Sequence, residues 1–184
     1  MDNRSSKLLA EWIAMSKKTQ FLVAENTEEE ENLLNKLQLT ESSVLGCLIK
    51  DLGYVICGNH HIRILGGKNP HCKSFFEVNT LYTGAGLLQG ILVVADTLNG
   101  GLFALNCDKN TGAALGEMLY LPYGSLIWER LDIGYSDFVR WAINASPETL
   151  VSGGWVDSNS KNVPFNARDQ ITQSKLDILL SIRK

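Results

Sequence analysis

Gly90-Ile-Leu-Val-Val-Ala-Asp-Thr-Leu-Asn-Gly-Gly-Leu-Phe-Ala-Leu-Asn106 decides the fold, together with three segments that follow a loop. These read Tyr120-Leu-Pro-Tyr-Gly124, Leu126-Ile-Trp-Glu-Arg-Leu131 and Gly134-Tyr-Ser-Asp-Phe-Val-Arg-Trp-Ala142. Residues 91–95 are continuously apolar, the mark of a strand covered on both faces. Residues 96–101 form a Gly-rich turn, and Leu102, Phe103 and Leu105 continue as the antiparallel partner. Residues 118–121 and 126–131 give two more strands around Pro122-Tyr-Gly124. Ser136 is placed to cap a closing helix whose Phe138, Val139, Trp141, Ala142 and Ile143 look inward.

Upstream, a first helix follows Ser5 or Ser6, with Leu8, Leu9, Trp12 and Ile13 on one face and Lys17 and Lys18 at its C-terminal end. Phe21-Leu-Val-Ala24 reads as a strand or extended link. Thr27 and Glu30 have capping-box spacing, so a second helix starts there and buries Leu33, Leu34 and Leu37. Its acidic run, residues 28–31, suits the positive end of the helix and could also serve as a docking patch. Residues 44–50 read as a strand. Gly58-Asn59 suits the positive backbone angles of a turn between strands at 54–57 and 60–65. Within the latter, Ile62 and Ile64 face one way, and His61, Arg63 and Leu65 the other. Residues 68–79 read as a loop with a helical turn near Phe75 and Phe76.

The expected fold class is therefore α+β, one main, mostly antiparallel sheet flanked by helices. Residues 1–150 make the domain, 151–166 a linker or long loop, and 167–184 a last helix. That helix carries Ile171, Ile178, Leu179 and Ile182 as its apolar stripe and is expected to pack back on the domain.

Lys plus Arg number 17 and Asp plus Glu 20, a net charge of −3 that gives no bulk attraction to nucleic acid or to an anionic membrane. The longest apolar runs are too short to span a bilayer, and Glu11 interrupts what would be a signal sequence. A cytoplasmic location is expected. Cys47, Cys57, Cys72 and Cys107 lack CxxC spacing and suit a reducing compartment.

Few residues suggest chemistry. His60, His61, His71 and Cys72 match no zinc spacing, since adjacent strand residues point to opposite faces. No nucleophile elbow, phosphate loop or dinucleotide fingerprint is present, so neither a catalytic residue nor a cofactor is indicated. The candidate binding residues are Asp96, Asn99, Gly100, Gly101, Trp128 and Trp155. Asp96 ends a buried strand beside amides freed by two glycines, where it could bind a cation or polarise a substrate. The same residues are also what a turn needs. Trp128 could be a contact residue, Trp155 a contact residue or packing plug.

Leu37-Gln-Leu-Thr-Glu-Ser-Ser-Val-Leu-Gly46, Ile62-Arg-Ile-Leu-Gly-Gly67, the Val93-to-Asn106 segment and Gly134-Tyr-Ser-Asp-Phe-Val-Arg-Trp-Ala142 resemble an uncharacterised bacterial family, a domain of unknown function. The likeness runs from about Ser5 to Trp155. The chain departs at His61, where the family usually has an aromatic residue, and after Trp155. More loosely, residues 90–143 resemble the core of the SUKH superfamily, many of whose members are bacterial immunity proteins that neutralise a toxin. That resemblance implies a SUKH-like core and function through surface contact, and carries over no catalytic residue.

Three expectations follow. The first is a non-enzymatic protein-binding domain with another protein as partner, in one form a toxin-neutralising immunity-type protein. The second is a small-ligand-binding protein or enzyme with a cleft near Asp96, Asn99, His61 and Cys72. The third is a structural subunit that forms homo-oligomers through its last helix.

Overall fold

A computed structural model describes residues 4–16, 19–25, 28–83, 90–109, 112–153 and 164–182. Among these, seven strands lie side by side in chain order: β1 (Gln20–Val23), β2 (Leu52–Cys57), β3 (Ile62–Leu65), β4 (Ile91–Thr97), β5 (Leu102–Asn106), β6 (Glu117–Leu121) and β7 (Glu129–Gly134). Each pairs antiparallel with the next. The helices are α1 (Arg4–Met15), α2 (Glu28–Lys36), α3 (Val44–Asp51), α4 (Phe75–Thr83), α5 (Tyr135–Asn144), α6 (Pro147–Ser152) and α7 (Phe165–Ile182). The fold is α+β, one antiparallel sheet flanked by helices. No helix among the described residues is long and apolar enough to cross a membrane.

Register sorts the side chains into two faces, because successive strand residues point oppositely. Val55, Ile64, Ala95, Phe103 and Tyr120 form one cross-strand row, and Ile56, Arg63, Asp96, Leu102 and Leu121 the next. The first face meets α5, whose Phe138 ring lies 4.8 Å from Phe103 and whose Trp141 lies 6.1 Å from it. α7 covers the second, with Phe165 4.9 Å from the Tyr54 ring and Arg168 bonded to Asp96. α4 is stitched to β4 at a bulge near Val93: Asn79 Nδ2 donates to Val93 O, and Val93 N donates to Asn79 Oδ1, each at 2.8 Å.

Several elements differ from the sequence reading. Residues 44–50 form helix α3, not a strand, with Ser43 Oγ capping Gly46 N at 2.9 Å. Six consecutive residues there, 44–49, are buried, and an apolar run with no polar face carries no period to tell the two apart. Gly46 permits the close fit, since a Cβ there would meet Thr40 O at 2.1 Å. α5 starts at Tyr135 with Gly134 as N-cap and no side-chain cap bond, so Ser136 lies inside the helix. The last strand runs from Glu129 to Gly134, not 126–131. Ser125 Oγ accepts from Ile127 N at 3.1 Å, which holds Leu126 and Ile127 in a local turn. The helix near Phe75 extends to Thr83, started by a reciprocal Ser74–Glu77 cap.

Other expectations hold with shifts of a residue or two. Gly58, Asn59 and His60 all have positive φ (58°, 57° and 74°), and β3 begins at Ile62 once that turn is complete. In α1 Leu9 is buried, and Trp12 and Ile13 pack against the core. In α2 Leu34 is buried, whereas Leu37, beyond the helix end, is 37% exposed. The Thr27 cap, Lys17, Lys18 and the Leu33 side chain lie outside the described residues.

The last helix departs most. Its buried side chains are Arg168, Thr172, Lys175 and Leu176, with Leu179 partly covered, while Ile178 is 50% exposed. The apolar stripe does not define the inner face. The sheet beneath presents Arg63 and Asp96, both fully buried, and buried charges need charged or hydrogen-bonding partners.

Candidate functional site

Asp96 stands at the centre of a buried ionic cluster. Register pairs it with Arg63 on β3, so the two side chains lie next to each other on the α7 face. Arg63 Nη2 bonds Asp96 Oδ2, and its Nε donates to Oδ1 at 3.3 Å. From α7, Arg168 Nε donates to Oδ1 at 2.6 Å and Thr172 Oγ1 to Oδ2 at 3.1 Å. Arg168 also donates to the carbonyls of His60, His61 and Asp96 at 3.1, 3.2 and 2.8 Å. Asp169 closes the group, accepting from Arg63 Nη1 at 2.7 Å and from Lys73 N at 3.0 Å. Two arginines meet two aspartates, so the formal charge cancels.

The electrostatics follow from this geometry. Burial alone would push Asp96 up, but Arg168 and Arg63 together hold its carboxyl below the usual carboxylate range. Burial opposes the charge on Arg63, and Asp96 and Asp169 outweigh it, so Arg63 is raised. Burial dominates for Arg168, which also feels Arg63, and the net direction is down. Both stay cationic, since arginine does not lose its proton in proteins. The cluster fastens α7 to the sheet, and both carboxylate oxygens of Asp96 are engaged within the protein.

The other candidate residues separate. Thr97, not Asp96, organises the turn: its Oγ1 donates to Asn99 Oδ1 at 2.6 Å and accepts from Gly101 N at 2.8 Å. Gly100 has φ 87°, and a Cβ there would meet Ile171 of α7 at 2.7 Å. Gly101 is hemmed in by the Tyr120 hydroxyl. Trp128 is partly buried against the core. Trp155 lies outside the described residues. Cys72 is buried close to Arg63, its amide held by Asn69 Oδ1 at 3.0 Å, and His71 is exposed. Among the described residues no group of three His, Cys, Asp or Glu is arranged to hold a metal.

Beside the cluster, α7 and two turns enclose an open groove of about 900 Å³. Asn99 and Gly100 come from the β4–β5 turn, residues 123–126 from the β6–β7 connection, and Gln170, Ile171, Ser174, Lys175 and Ile178 from α7. Large apolar side chains stand open around it: Tyr123 is 69% exposed, Leu126 46% and Ile178 50%, with Ile127 beside them at 76%. Lys175 is 9% exposed and donates from Nζ to Pro122 O. Burial pulls its ammonium down to about 8.

Asn99 and Gly100 are thus the sequence candidates that reach an accessible site. Lys175, Tyr123 and Leu126 were missed. Their signals were present: Arg168, Thr172 and Lys175 recur at i, i+4 and i+7 on one helix face, and Leu126 follows a Pro-Tyr-Gly-Ser turn.

A family model matches residues 1–167, most of the chain. The chain belongs to the family described as protein of unknown function DUF2625. It is 27% identical over 148 residues to an uncharacterized protein of Haemophilus influenzae (strain ATCC 51907 / DSM 11121 / KW20 / Rd), covering 79% of this chain and 64% of the relative. It is 28% identical over 145 residues to the uncharacterized protein YbfG of Escherichia coli (strain K12), covering 78% and 65%. The match thus spans just under two thirds of the length of these relatives. No solved structure matches the chain. The family model stops at residue 167, so Arg168, Asp169, Thr172 and Lys175 lie just beyond it, while Arg63 and Asp96 lie within.

Proposed function

We propose that this DUF2625 protein is a non-enzymatic protein-binding module and that the groove walled by α7 is its contact surface. The apolar rim carries the reading. Three large side chains, Tyr123, Leu126 and Ile178, are between 46% and 69% exposed around one concave site. Clustered exposure of that kind marks interaction surfaces, whereas single exposed apolar residues are ordinary. The polar groups near the groove favour binding over catalysis, since Asp96 is already committed to Arg63, Arg168 and Thr172. The SUKH resemblance points to a toxin as the partner, which would make the chain an immunity-type protein. The four cysteines, none of them in a disulfide, suit the cytoplasm as its compartment.

Native mass spectrometry of the tagged chain, purified gently from its source cell beside the Leu126→Asp variant, tests this reading. The expected result is a stoichiometric second protein on the unmodified chain that the variant loses. A partner retained equally by the variant contradicts the surface. An extra small mass would shift the groove to a small ligand, for which its volume also suffices. A doubled mass lost in the variant would make it an oligomer contact.

A further inference from the structure

We propose that the groove takes an acidic, apolar segment of the partner protein, whose carboxylate pairs with the ammonium of Lys175. The inference rests on the protein-binding reading and names what that surface recognises. Lys175 is more than nine-tenths buried, and an ammonium carries three N–H donors. One goes to Pro122 O. Among the described residues no carboxylate pairs with it. Asp169, on the same helix, is engaged by Arg63 and Lys73, and Asp177 accepts from Gln173. The contrast with Arg168, two turns away, is direct: that cation has Asp96 and three carbonyls.

A buried cation without a counter-ion destabilises the protein that holds it. Lys175 pays in this way, as its ammonium shows by falling to about 8 through burial alone. The charge complementarity is therefore incomplete within the chain, and an incoming carboxylate completes it. The surroundings specify the rest of the segment, because Tyr123, Leu126 and Ile178 line the same groove as the lysine and offer apolar contact.

The groups facing Lys175 leave its titration isolated. The β4–β5 turn presents Asn99 and Gly100, α7 presents Gln170 and Ser174, and Tyr123 from the β6–β7 connection is the other titratable side chain lining the groove. A carboxylate binds the charged lysine, so binding takes up a proton wherever the free lysine is neutral. Affinity should hold below pH about 8 and fall as pH rises above it, approaching tenfold per unit.

The experiment uses the full chain as bait for a random peptide library displayed between fixed flanks. The enriched peptides are then titrated by fluorescence anisotropy against the unmodified chain and Lys175→Met. The expected consensus is Asp or Glu flanked by apolar residues. Lys175→Met should weaken binding at least about tenfold and flatten the pH profile. Changing the peptide's acid to its amide should cost a similar factor with the protein unaltered, which guards against a misfolded variant. Combining both changes should add little to either. Binders with no acidic residue in common, binders indifferent to both changes, or no binder at all would overturn the assignment. The Leu126→Asp comparison decides separately whether any protein occupies the groove.

Discussion

Asp96 shows how one carboxylate can govern a fold. Its loss would leave two buried guanidiniums facing each other, and breaking a buried pair from one side costs about 3–5 kcal/mol. Asp96→Asn should therefore lower unfolding stability in urea by about that amount. The wild-type contribution should be full above the ordinary carboxylate value of 3.8 and lost as pH falls through the lowered folded value. Lys175 has the opposite sign. Its folded value of about 8 lies below the ordinary 10.5, so its burial destabilises the protein most below pH 8. Lys175→Met should be more stable than wild type at pH 7 by about 3 kcal/mol, with the gap closing between pH 8 and 10.5. Thermal unfolding of the two proteins across that range checks it. Asp96 stood out in the sequence as a carboxylate ending a buried strand. Its partners did not, because Arg63 is 33 residues away and Arg168 is 72, and only the folded sheet joins them.

Elements with a clean period were legible, and those whose period conflicts with their surroundings were not. The strands of residues 91–106 follow from an unbroken apolar run and the Gly-rich turn that ends it, and the inward face of α5 from a 3.6-residue repeat. Helix α3 is apolar all round and looks the same as a buried strand. Helix α7 has an apolar stripe, yet the charges on the sheet draw its polar side inward and leave Ile178 at the groove. Gly100 sets how closely α7 approaches the β4–β5 turn, both by its φ of 87° and by the 2.7 Å a Cβ would leave to Ile171. Gly100→Ala should destabilise the protein by about 1–3 kcal/mol, from left-handed backbone strain and overpacking together. Hydrogen exchange should rise first in α7, not in the central strands.

At the scale of the molecule, the tight turns that join β2 to β3 and β4 to β5 make those pairs antiparallel neighbours. That much is readable along the chain. The groove is not, since its walls come from residues near 99, 123 and 175, and no local pattern joins them. The molecule also exposes Phe21 and Val23 on the edge strand β1, a second apolar surface well suited as a comparison. The most direct measurement places a photo-crosslinking amino acid at position 126 or, separately, at position 21, and irradiates the source cells. A discrete protein adduct at 126 that is absent at 21 is the expected result. An adduct at 21 alone, or none at either position, would contradict the groove as the site where this protein meets its partner.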